Sequence, residues 1–350
     1  MSSMPGLIKI SLQNFRNYEK RTFEFALTLS RLGGTSEGRG SKTLIVGENG
    51  AGKSNIMEAI YLLATGKSFR ADYESEMVSY QKDFFRVVGE VGEVGEVGVT
   101  MNEGRKKFEI NGVSRRQIDF VGNLRAVLFC PQDMELVTGS PGGRRRYLDF
   151  VISQTDREYR RCLISYEKGL RQRNKLLEMI REDLAQRSQL YFWDKLLIKN
   201  GEYITLKRGE YLQALQANQA YQAFYDKSII SESRLKQYEM EEVAAAATLV
   251  GPHRDDFIIN LNSRDVSKYG SRGEQRMAVL GLKIAEIKRL SNEDTKEQPL
   301  LLLDDIFSEL DHKHREEVQK MVENYEGQVI MTTTDRHLLP VGGEDTIIEL

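Results

Sequence analysis

The stretch Gly47-Glu48-Asn49-Gly50-Ala51-Gly52-Lys53-Ser54 decides how the rest of this sequence is interpreted. It satisfies the phosphate-loop pattern G-x-x-x-x-G-K-[ST] at every fixed position. The apolar run 43–46 before it predicts a buried strand, and Ile56, Ile60 and Leu63 after it share one face of a predicted helix. A glycine-rich turn between a strand and a helix lets backbone N–H groups surround phosphate oxygens, so the stretch predicts a nucleotide site.

Each residue of the loop has an expected role. Lys53 is expected to reach the β- and γ-phosphates of ATP, and the Ser54 hydroxyl is expected to ligate Mg²⁺. The other expected ATP contacts are Gly47, Glu48, Asn49, Gly50, Ala51 and Gly52. A chance glycine-rich turn is the alternative, and the strand before the loop and the helix after it disfavour it.

A second apolar run, 300–303, ends in the carboxylates of Asp304 and Asp305. In phosphoryl-transfer sites the first such carboxylate holds Mg²⁺ and the next can polarise the attacking water. Asp304 is therefore the expected Mg²⁺ ligand and Asp305 the expected catalytic base. Two solvated aspartates at the end of a buried strand are the alternative, which the phosphate loop makes less favourable.

The composition excludes several classes of protein. The 350 residues suffice for two or three domains at about 100 to 200 residues each. Lys and Arg number 50 against 52 Asp and Glu, so a polyanion site would depend on local clusters. No apolar run approaches the length of a membrane span, and residues 1–10 lack a secretory pattern. With two cysteines and no zinc-ligand spacing, a cytoplasmic protein without a membrane partner is expected.

The chain divides into three predicted parts: 1–138, a strand-rich lobe with the phosphate loop; 139–250, an α-helical arm; and 251–350, a second α/β lobe. The arm is predicted from two apolar stripes at helical spacing, one from Tyr159 to Ile180 and one from Leu190 to Leu215. Asn111-Gly112 predicts a hairpin turn. The Val-Gly-Glu repeat at 88–99 has a period of three, which matches neither a strand nor a helix.

The segment Ser271-Arg272-Gly273-Glu274-Gln275 opens a predicted amphipathic helix. Taken alone it is a capped helix start, because Ser271 is a favoured N-cap residue and Glu274 completes a capping box. Its Ser-x-Gly-x-Gln form and its position before the acidic strand resemble the signature motif of ABC-type ATPases. Ser308-Glu309-Leu310-Asp311 likewise resembles the D-loop of that class.

Further stretches resemble the RecF branch of the SMC/ABC ATPases over nearly the whole chain. They are LQNFRNY at 12–18, GKSFR at 66–70, PQDMELV at 131–137, RRRYLD at 144–149, RQRN at 171–174 and GPHRDD at 251–256. The resemblance implies an α/β fold: an ABC-type, SMC-like ATPase head of two lobes with an inserted helical arm. It also implies an ATP contact for Arg16, a D-loop role for Ser308 and Asp311, and a signature of Ser271, Gly273, Glu274 and Gln275 that acts in trans in a homodimer.

The resemblance further implies a cytoplasmic protein of DNA replication and recombinational repair. It would dimerise on ATP, clamp duplex or gapped DNA, and help recombination-mediator proteins load the recombinase, and hydrolysis would open the clamp. Asp305 stands where the ABC class usually has Glu, which has one methylene more. Slow hydrolysis, suited to a switch, is therefore expected.

Arginines in the arm are the candidate DNA contacts. Phosphate contact needs positive charge and no base-reading motif. The candidates are Arg144, Arg145, Arg146, Arg171 and Arg173. A solvated helix surface paired with nearby carboxylates is the equally weighted alternative.

Two other functions remain open at this point. The first is the nucleotide-binding subunit of an ABC transporter, against which the long stretch between Lys53 and Ser271 counts. The second is an unrelated P-loop kinase, in which Ser271 would only cap a helix.

Overall fold

The computed structural model describes residues 6–25, 40–214, 221–292, 294, 297–309, 312–335 and 345–350. The chain forms two compact units: unit 1 is Met1–Asp133 with Glu286–Leu350, and unit 2 is Met134–Ala285. The division predicted from the sequence has boundaries after residues 138 and 250, whereas the two units of the structure divide after residues 133 and 285. The three-part division stays a prediction. None of the described helices is both long and apolar enough to span a bilayer.

The strands and helices have the following bounds, each class numbered in chain order. The strands are β1 Leu7–Phe15, β2 Tyr18–Glu24, β3 Lys42–Val46, β4 Phe84–Val91, β5 Gly95–Asn102, β6 Arg105–Ile110, β7 Val113–Arg115, β8 Ala126–Phe129, β9 Tyr221–Asp226, β10 Asp256–Leu261, β11 Arg264–Asp265, β12 Leu300–Asp304, β13 Val329–Thr333 and β14 Thr346–Glu349. The α-helices are α1 Lys53–Thr65, α2 Gln117–Phe120, α3 Glu135–Thr138, α4 Pro141–Thr155, α5 Arg157–Arg181, α6 Tyr191–Ala214, α7 Glu232–Gln237, α8 Glu239–Ala245, α9 Val266–Tyr269, α10 Arg272–Leu290, α11 Ile306–Glu309 and α12 His312–Glu323.

Unit 1 contains two sheets with α1 packed against both. One sheet is parallel, with the strand order β14-β3-β13-β12-β8, and the other is antiparallel, with the order β2-β1-β4-β5-β6-β7. Helix α1 contacts β1, β4 and β5 of the antiparallel sheet and β8, β12 and β13 of the parallel sheet. The sequence predicted one apolar face for this helix, but it is buried on nearly every side, as expected for a helix between two layers.

The parallel sheet places the two predicted halves of the nucleotide site at one edge. Strand β13 lies between β3 and β12, and all three run in the same direction. The phosphate loop follows β3, and Asp304 ends β12, so both lie at the carboxyl ends of their strands. Open α/β sheets bind ligands at this edge.

The Val-Gly-Glu repeat forms a hairpin of β4 and β5 with its turn at Gly92–Val94. Alternate residues of β4 face the core, among them Phe85, Val87 and Val91. Gly89 also faces inward, and a Cβ there would lie 2.6 Å from Leu63 Cδ1 of α1. The repeat thus places a glycine at a position where α1 packs too closely for a larger residue. Asn111 and Gly112 form the expected turn between β6 and β7, with φ of 51° and 75°.

A buried carboxylate on α1 holds together three segments of unit 1. Glu58, which is fully buried, accepts two hydrogen bonds from Arg16 at 2.7 and 2.6 Å. It also accepts two from Arg70 at 3.0 and 2.8 Å, and one from Ser68. Burial alone would raise the pKa of Glu58, but the hydrogen bonds from Arg16, Arg70 and Ser68 outweigh it and lower the pKa.

Unit 2 is built on a hairpin of the long helices α5 and α6. Ser165 and Asn200 meet at 3.5 Å and Arg173 and Asp194 at 2.7 Å, so the two helices are antiparallel. Their facing residues pack with the sheet β11-β10-β9 in one core that includes Tyr159, Tyr166 and Leu197. The two predicted stripes thus lie on two long helices, and Leu215 lies outside the described residues.

Two buried arginines tie the helices of unit 2 together. Arg173 is 2% exposed and donates to Asp194 at 2.7 Å, and it forms an ion pair with the buried Glu242 at 2.7 Å. Arg208 is also 2% exposed and pairs with Asp149 at 2.8 Å and Asp255 at 3.2 Å. Each guanidinium is surrounded by acceptors, which is the condition under which buried charge is tolerated.

We expect Glu58→Gln to lower the free energy of unfolding by about 2 kcal/mol, because two arginines lose a charged acceptor. Since the native pKa of Glu58 is lowered, the charged group stabilises the fold above its unfolded pKa of about 4.3, and this stability is lost as the pH falls through the native pKa. Urea unfolding at pH 7 and at pH 3.5 measures both effects. An equal difference between wild type and variant at the two pH values would contradict the assignment.

We expect Arg173→Ala to destabilise unit 2 by about 3 to 5 kcal/mol, because the buried Glu242 loses its partner. Arg171→Ala is the matched control, since Arg171 is exposed two residues earlier on the same helix. Thermal unfolding of both variants provides the measurement. Equal melting temperatures for the two variants would mean that Arg173 is not structural.

Candidate nucleotide site

The phosphate loop has the backbone shape that its glycines allow. Gly50 and Gly52 have φ of 85° and 107°, in the left-handed region that favours glycine. A Cβ at Gly52 would also lie 2.5 Å from the Tyr18 hydroxyl oxygen, so no other residue fits there. Residues 48–50 are exposed, which leaves the tip of the loop open to a ligand.

Lys53 begins α1 and folds back over the loop. Its ammonium donates to the Gly47 carbonyl oxygen at 2.6 Å and to the Glu48 carbonyl oxygen at 2.9 Å. The side chain is 7% exposed, so its charge lies inside the curve of the loop. This position suits a cation that holds the phosphates of a nucleotide.

Asp304 is joined to the phosphate-loop helix by a hydrogen bond. Ser54 Oγ donates to Asp304 Oδ1 at 3.0 Å, and Thr332 Oγ1 donates to the same oxygen at 2.8 Å. Burial raises the pKa of Asp304, although the hydrogen bonds from Thr332 and Ser54 lower it in part. The strand ends thus bring the two expected Mg²⁺ ligands into direct contact.

These two oxygen ligands fit a magnesium ion. Mg²⁺ in phosphoryl-transfer sites takes one or two protein oxygens and completes its shell with water and phosphate oxygens. The described residues contain no cluster of three or more His, Cys, Asp or Glu side chains that could form a cage of their own. A cation beside Asp304 would also favour the charged form of a carboxylate that burial disfavours.

Asp305 directly follows β12 and has a constrained backbone. Its φ is 50°, which is uncommon for a residue with a side chain and tolerated best by Asp and Asn. Its backbone N–H donates to Thr332 Oγ1 at 3.0 Å, so Thr332 fixes both acidic residues. At Asp305, the expected catalytic base, the chain therefore turns away from the buried strand β12.

Arg16 follows β1 and is held by Glu58. Its guanidinium makes both hydrogen bonds to that carboxylate and a third to the Glu76 carbonyl oxygen at 2.6 Å. The neighbouring Asn17 donates to the Ala51 carbonyl oxygen at 3.3 Å and accepts from Asn55 at 2.7 Å. The turn between β1 and β2 therefore supports the phosphate loop, and an ATP contact for Arg16 stays a prediction.

The signature residues lie in unit 2 at the start of α10. Ser271 donates through its N–H and hydroxyl to Glu274 at 2.7 and 2.9 Å, and accepts from the Glu274 N–H at 3.3 Å. These bonds form the capping box, and the hydrogen bonds from Ser271 lower the pKa of Glu274. Gln275 donates to the Val266 carbonyl oxygen at 3.2 Å, and Gly273 lies in the first turn of the helix. A capping box is compatible with a signature role and does not test it.

The D-loop prediction falls largely outside the described residues. Ser308 lies in the short helix α11, of which only the backbone is described at that position. Asp311 lies outside the described residues.

The five candidate DNA-contacting arginines differ in their surroundings. Arg144 is 8% exposed and pairs with Asp256 at 2.7 Å, and Arg173 is buried as described above. Arg145 is partly buried and donates to the Asp255 carbonyl oxygen at 2.7 Å. Arg146 and Arg171 are exposed. Burial and pairing give Arg144 and Arg173 a structural role, so we do not propose them as DNA contacts.

His253 belongs to the fold of unit 2. Its Nδ1 lies 2.8 Å from the Tyr166 hydroxyl and its Nε2 lies 2.9 Å from the Thr248 carbonyl oxygen. Burial lowers the pKa of His253 to about 4, so the ring is neutral at pH 7. The Nε2–H then donates to the carbonyl and Nδ1 accepts from the tyrosine, which leaves both ring nitrogens engaged within unit 2.

Two residues of the site were missed by sequence reasoning. Thr332 lies opposite Asp304 in the register of β13 and β12, and the signal for it was a threonine at the end of an apolar strand. Glu58 is a carboxylate within the otherwise apolar segment 56–64, and that isolation was its signal. Sequence alone could not supply their partners, which depend on the pairing of distant strands.

Comparisons with known proteins agree with this geometry. The family model described as RecF/RecN/SMC N terminal domain matches residues 6–348. The DNA replication and repair protein RecF of Herpetosiphon aurantiacus is 36% identical, with 93% of this chain and 92% of that protein covered. The protein of the same name from Ligilactobacillus salivarius is 34% identical, with 93% and 90% covered.

A solved structure is similar over almost the whole chain. It is described as the recombination mediator protein RecF-ATPrS in the RecFOR pathway, with a TM-score of 0.83, 32% identity, and 97% of this chain and 95% of that chain covered. A RecF-ATP structure matches with the same TM-score and identity, with 95% and 93% covered. The likeness extends over both units, including the helical hairpin and the phosphate-loop sheet. The chain therefore belongs to the RecF family, whose fold is the ABC-type ATPase head of the RecF/RecN/SMC group.

Proposed function

We propose that this protein is an ATP-dependent DNA-binding protein of replication and recombinational repair, with ATP hydrolysis as a slow switch. The observation that carries the proposal is the contact of Ser54 with Asp304 beside a phosphate loop that encloses the Lys53 ammonium. Its relatives are named for DNA replication and repair, and similar solved structures are named for ATP and for ATPrS. The site chemistry and these names support the same function.

In this proposal the chain binds ATP through groups that are already in place. Loop N–H groups and Lys53 hold the phosphates, Arg16 contacts the ATP, and Asn17 supports the loop from the β1–β2 turn. Ser54 and Asp304 hold Mg²⁺, which supplies charge neutralisation between the phosphates when it is bound. Asp305 orients the attacking water and accepts its proton. The shorter reach of Asp compared with Glu supports a slow turnover.

The proposal includes an ATP-dependent homodimer. The signature residues Ser271, Gly273, Glu274 and Gln275 start a helix in unit 2, where the helix dipole favours a phosphate. In a two-fold dimer the signature of one protomer would complete the nucleotide site of its partner, with the D-loop residues Ser308 and Asp311 at the interface. Binding of ATP would then close the dimer, and hydrolysis would open it.

The partners in this proposal are duplex or gapped DNA and the recombination-mediator proteins that load a recombinase. The pathway named for the similar solved structures supports the second class. Among the candidate contacts, the exposed Arg146 and Arg171 are retained, and Arg145 is retained as a half-buried neighbour. The cytoplasm, where bacterial DNA is replicated and repaired, is the proposed location.

We expect Lys53→Met to lower the affinity for ATP by at least about 100-fold, because the loop loses the cation that faces the phosphates. Isothermal titration with ATP and Mg²⁺ measures the affinity, and Lys20→Met on the exposed surface of β2 is the matched control. A Lys53→Met protein that binds ATP like the control would contradict the nucleotide site.

We expect Asp305→Asn to lower the hydrolysis rate by at least about 100-fold while ATP binding persists, because the amide cannot accept a proton. Asparagine tolerates the left-handed backbone at this position, so the fold is preserved. Sedimentation with Mg-ATP and labelled gapped DNA tests the dimer in the same protein. A monomer under all conditions would remove the trans role of the signature, and ATP-dependent dimers that ignore DNA would remove the DNA function.

A further inference from the structure

We propose that the exposed face of α5 binds the phosphate backbone of duplex DNA, through a row of cations that we call the α5 stripe. The stripe consists of Arg157, Arg161, Lys168, Arg171 and Lys175. This inference rests on the DNA-binding function proposed above and adds the surface that contacts the DNA.

The stripe follows the geometry of one helix face. All five side chains are exposed and recur at steps of three, four or seven residues. At about 100° per residue they point within about 40° of a common direction, and they extend over about 27 Å of helix. The exposed Ile164 occupies the position in the middle of the row. A straight row of this length faces several phosphates of one duplex, which carries a negative charge for about every 1.7 Å of its axis.

The charge of this face is balanced only in part from within the helix. The exposed acids of α5 are Glu158 and Glu178, and both lie outside the sector of the stripe. Glu158 pairs with Arg161 at 2.5 Å, but the ion pairs among the described residues include none with Lys168, Arg171 or Lys175. The whole chain carries almost equal numbers of acids and bases, so a face without acids over four turns departs from its average surface.

Like charges three and four residues apart destabilise a helix slightly. Lys168 with Arg171, and Arg171 with Lys175, are such pairs. A polyanion on this face would turn that repulsion into attraction. The buried Arg173, two residues from Arg171, shows the contrast, because its charge is already satisfied by Asp194 and Glu242.

The chemistry of the stripe favours duplex over single-stranded DNA and over a membrane surface. Proteins that hold single strands combine cations with aromatic side chains on which bases stack. Helix α5, which is described throughout, has its tyrosines Tyr159 and Tyr166 buried. A helix that lies on a membrane needs an apolar face to insert, and α5 exposes only Ile164 and Met179 as large hydrophobic side chains, 15 residues apart. Lysine and arginine in a row are suited to phosphates without base recognition.

The test is the triple variant Lys168→Gln/Arg171→Gln/Lys175→Gln in the full chain. The matched control is Lys20→Gln/Lys227→Gln/Lys236→Gln, which removes three exposed cations elsewhere. A charge-conserving variant, Lys168→Arg/Arg171→Lys/Lys175→Arg, separates charge from side-chain identity. Fluorescence anisotropy with a labelled duplex and with a single-stranded oligonucleotide of equal length, in Mg-ATP over a range of salt concentrations, gives affinities and salt slopes.

We expect the triple variant to lose at least about tenfold in duplex affinity, and its slope of log K against log salt to become shallower by about 2 to 3. The control and the charge-conserving variant should bind duplex like wild type, and all proteins should keep the same ATP affinity and melting temperature.

Three results would overturn the inference and leave the proposed function standing. They are a triple variant with wild-type duplex affinity and slope, a control that loses as much as the triple variant, and a loss confined to the single-stranded oligonucleotide. If wild type itself binds neither DNA with ATP present, the proposed function fails together with the stripe.

Discussion

The hydrogen bond between Ser54 and Asp304 is the contact on which the nucleotide site depends. It joins the first turn of α1 to the end of β12, two segments that are far apart in the sequence, and it requires β13 to lie between β3 and β12. Thr332 on β13 donates to the same carboxylate, so all three strand ends are fixed in one place. Because Asp304 is buried, its charge is costly there without donors, and the hydrogen bonds from Ser54 and Thr332 offset part of that cost. The strand order β3-β13-β12 therefore determines that Ser54, Thr332 and Asp304 meet at one edge of the sheet.

Charge serves two distinct purposes in this molecule, and sequence alone cannot separate them. Arg171 and Arg173 are two residues apart on α5, a rotation of about 200°, so one is exposed and the other is buried against Asp194 and Glu242. Arg144 and Arg146 differ in the same way on α4. The burial of one arginine in each pair depends on carboxylates contributed by other elements, such as Asp256. A run of arginines in a sequence therefore mixes buried charges that hold the fold with exposed charges.

Local patterns predicted the local elements of the fold well. The strand, loop and helix around Lys53, the turn at Asn111-Gly112 and the long helices of unit 2 all occur as expected. What depended on distant pairing was not predictable: the burial of α1 on both sides, the two arginines on Glu58, and the division of the chain after Ala285. The periodicity of a helix shows which of its faces is apolar. It does not show which strands, elsewhere in the chain, pack against that face. The packing partners of a helix therefore cannot be identified from the sequence of that helix alone.

The hairpin of β4 and β5 has a consequence for variation in length among related proteins. Its repeat is centred on Glu93, so each cross-strand pair within it joins valine with glycine or glutamate with glutamate. Insertion of two Val-Gly-Glu units would place another glutamate at the centre and extend each strand by three residues, with the same pairs. Insertion of one unit would leave no central residue and would require a different turn. The flanking pair Phe85 and Met101 keeps the register at the base in either case, so this hairpin can change length most easily in steps of six residues.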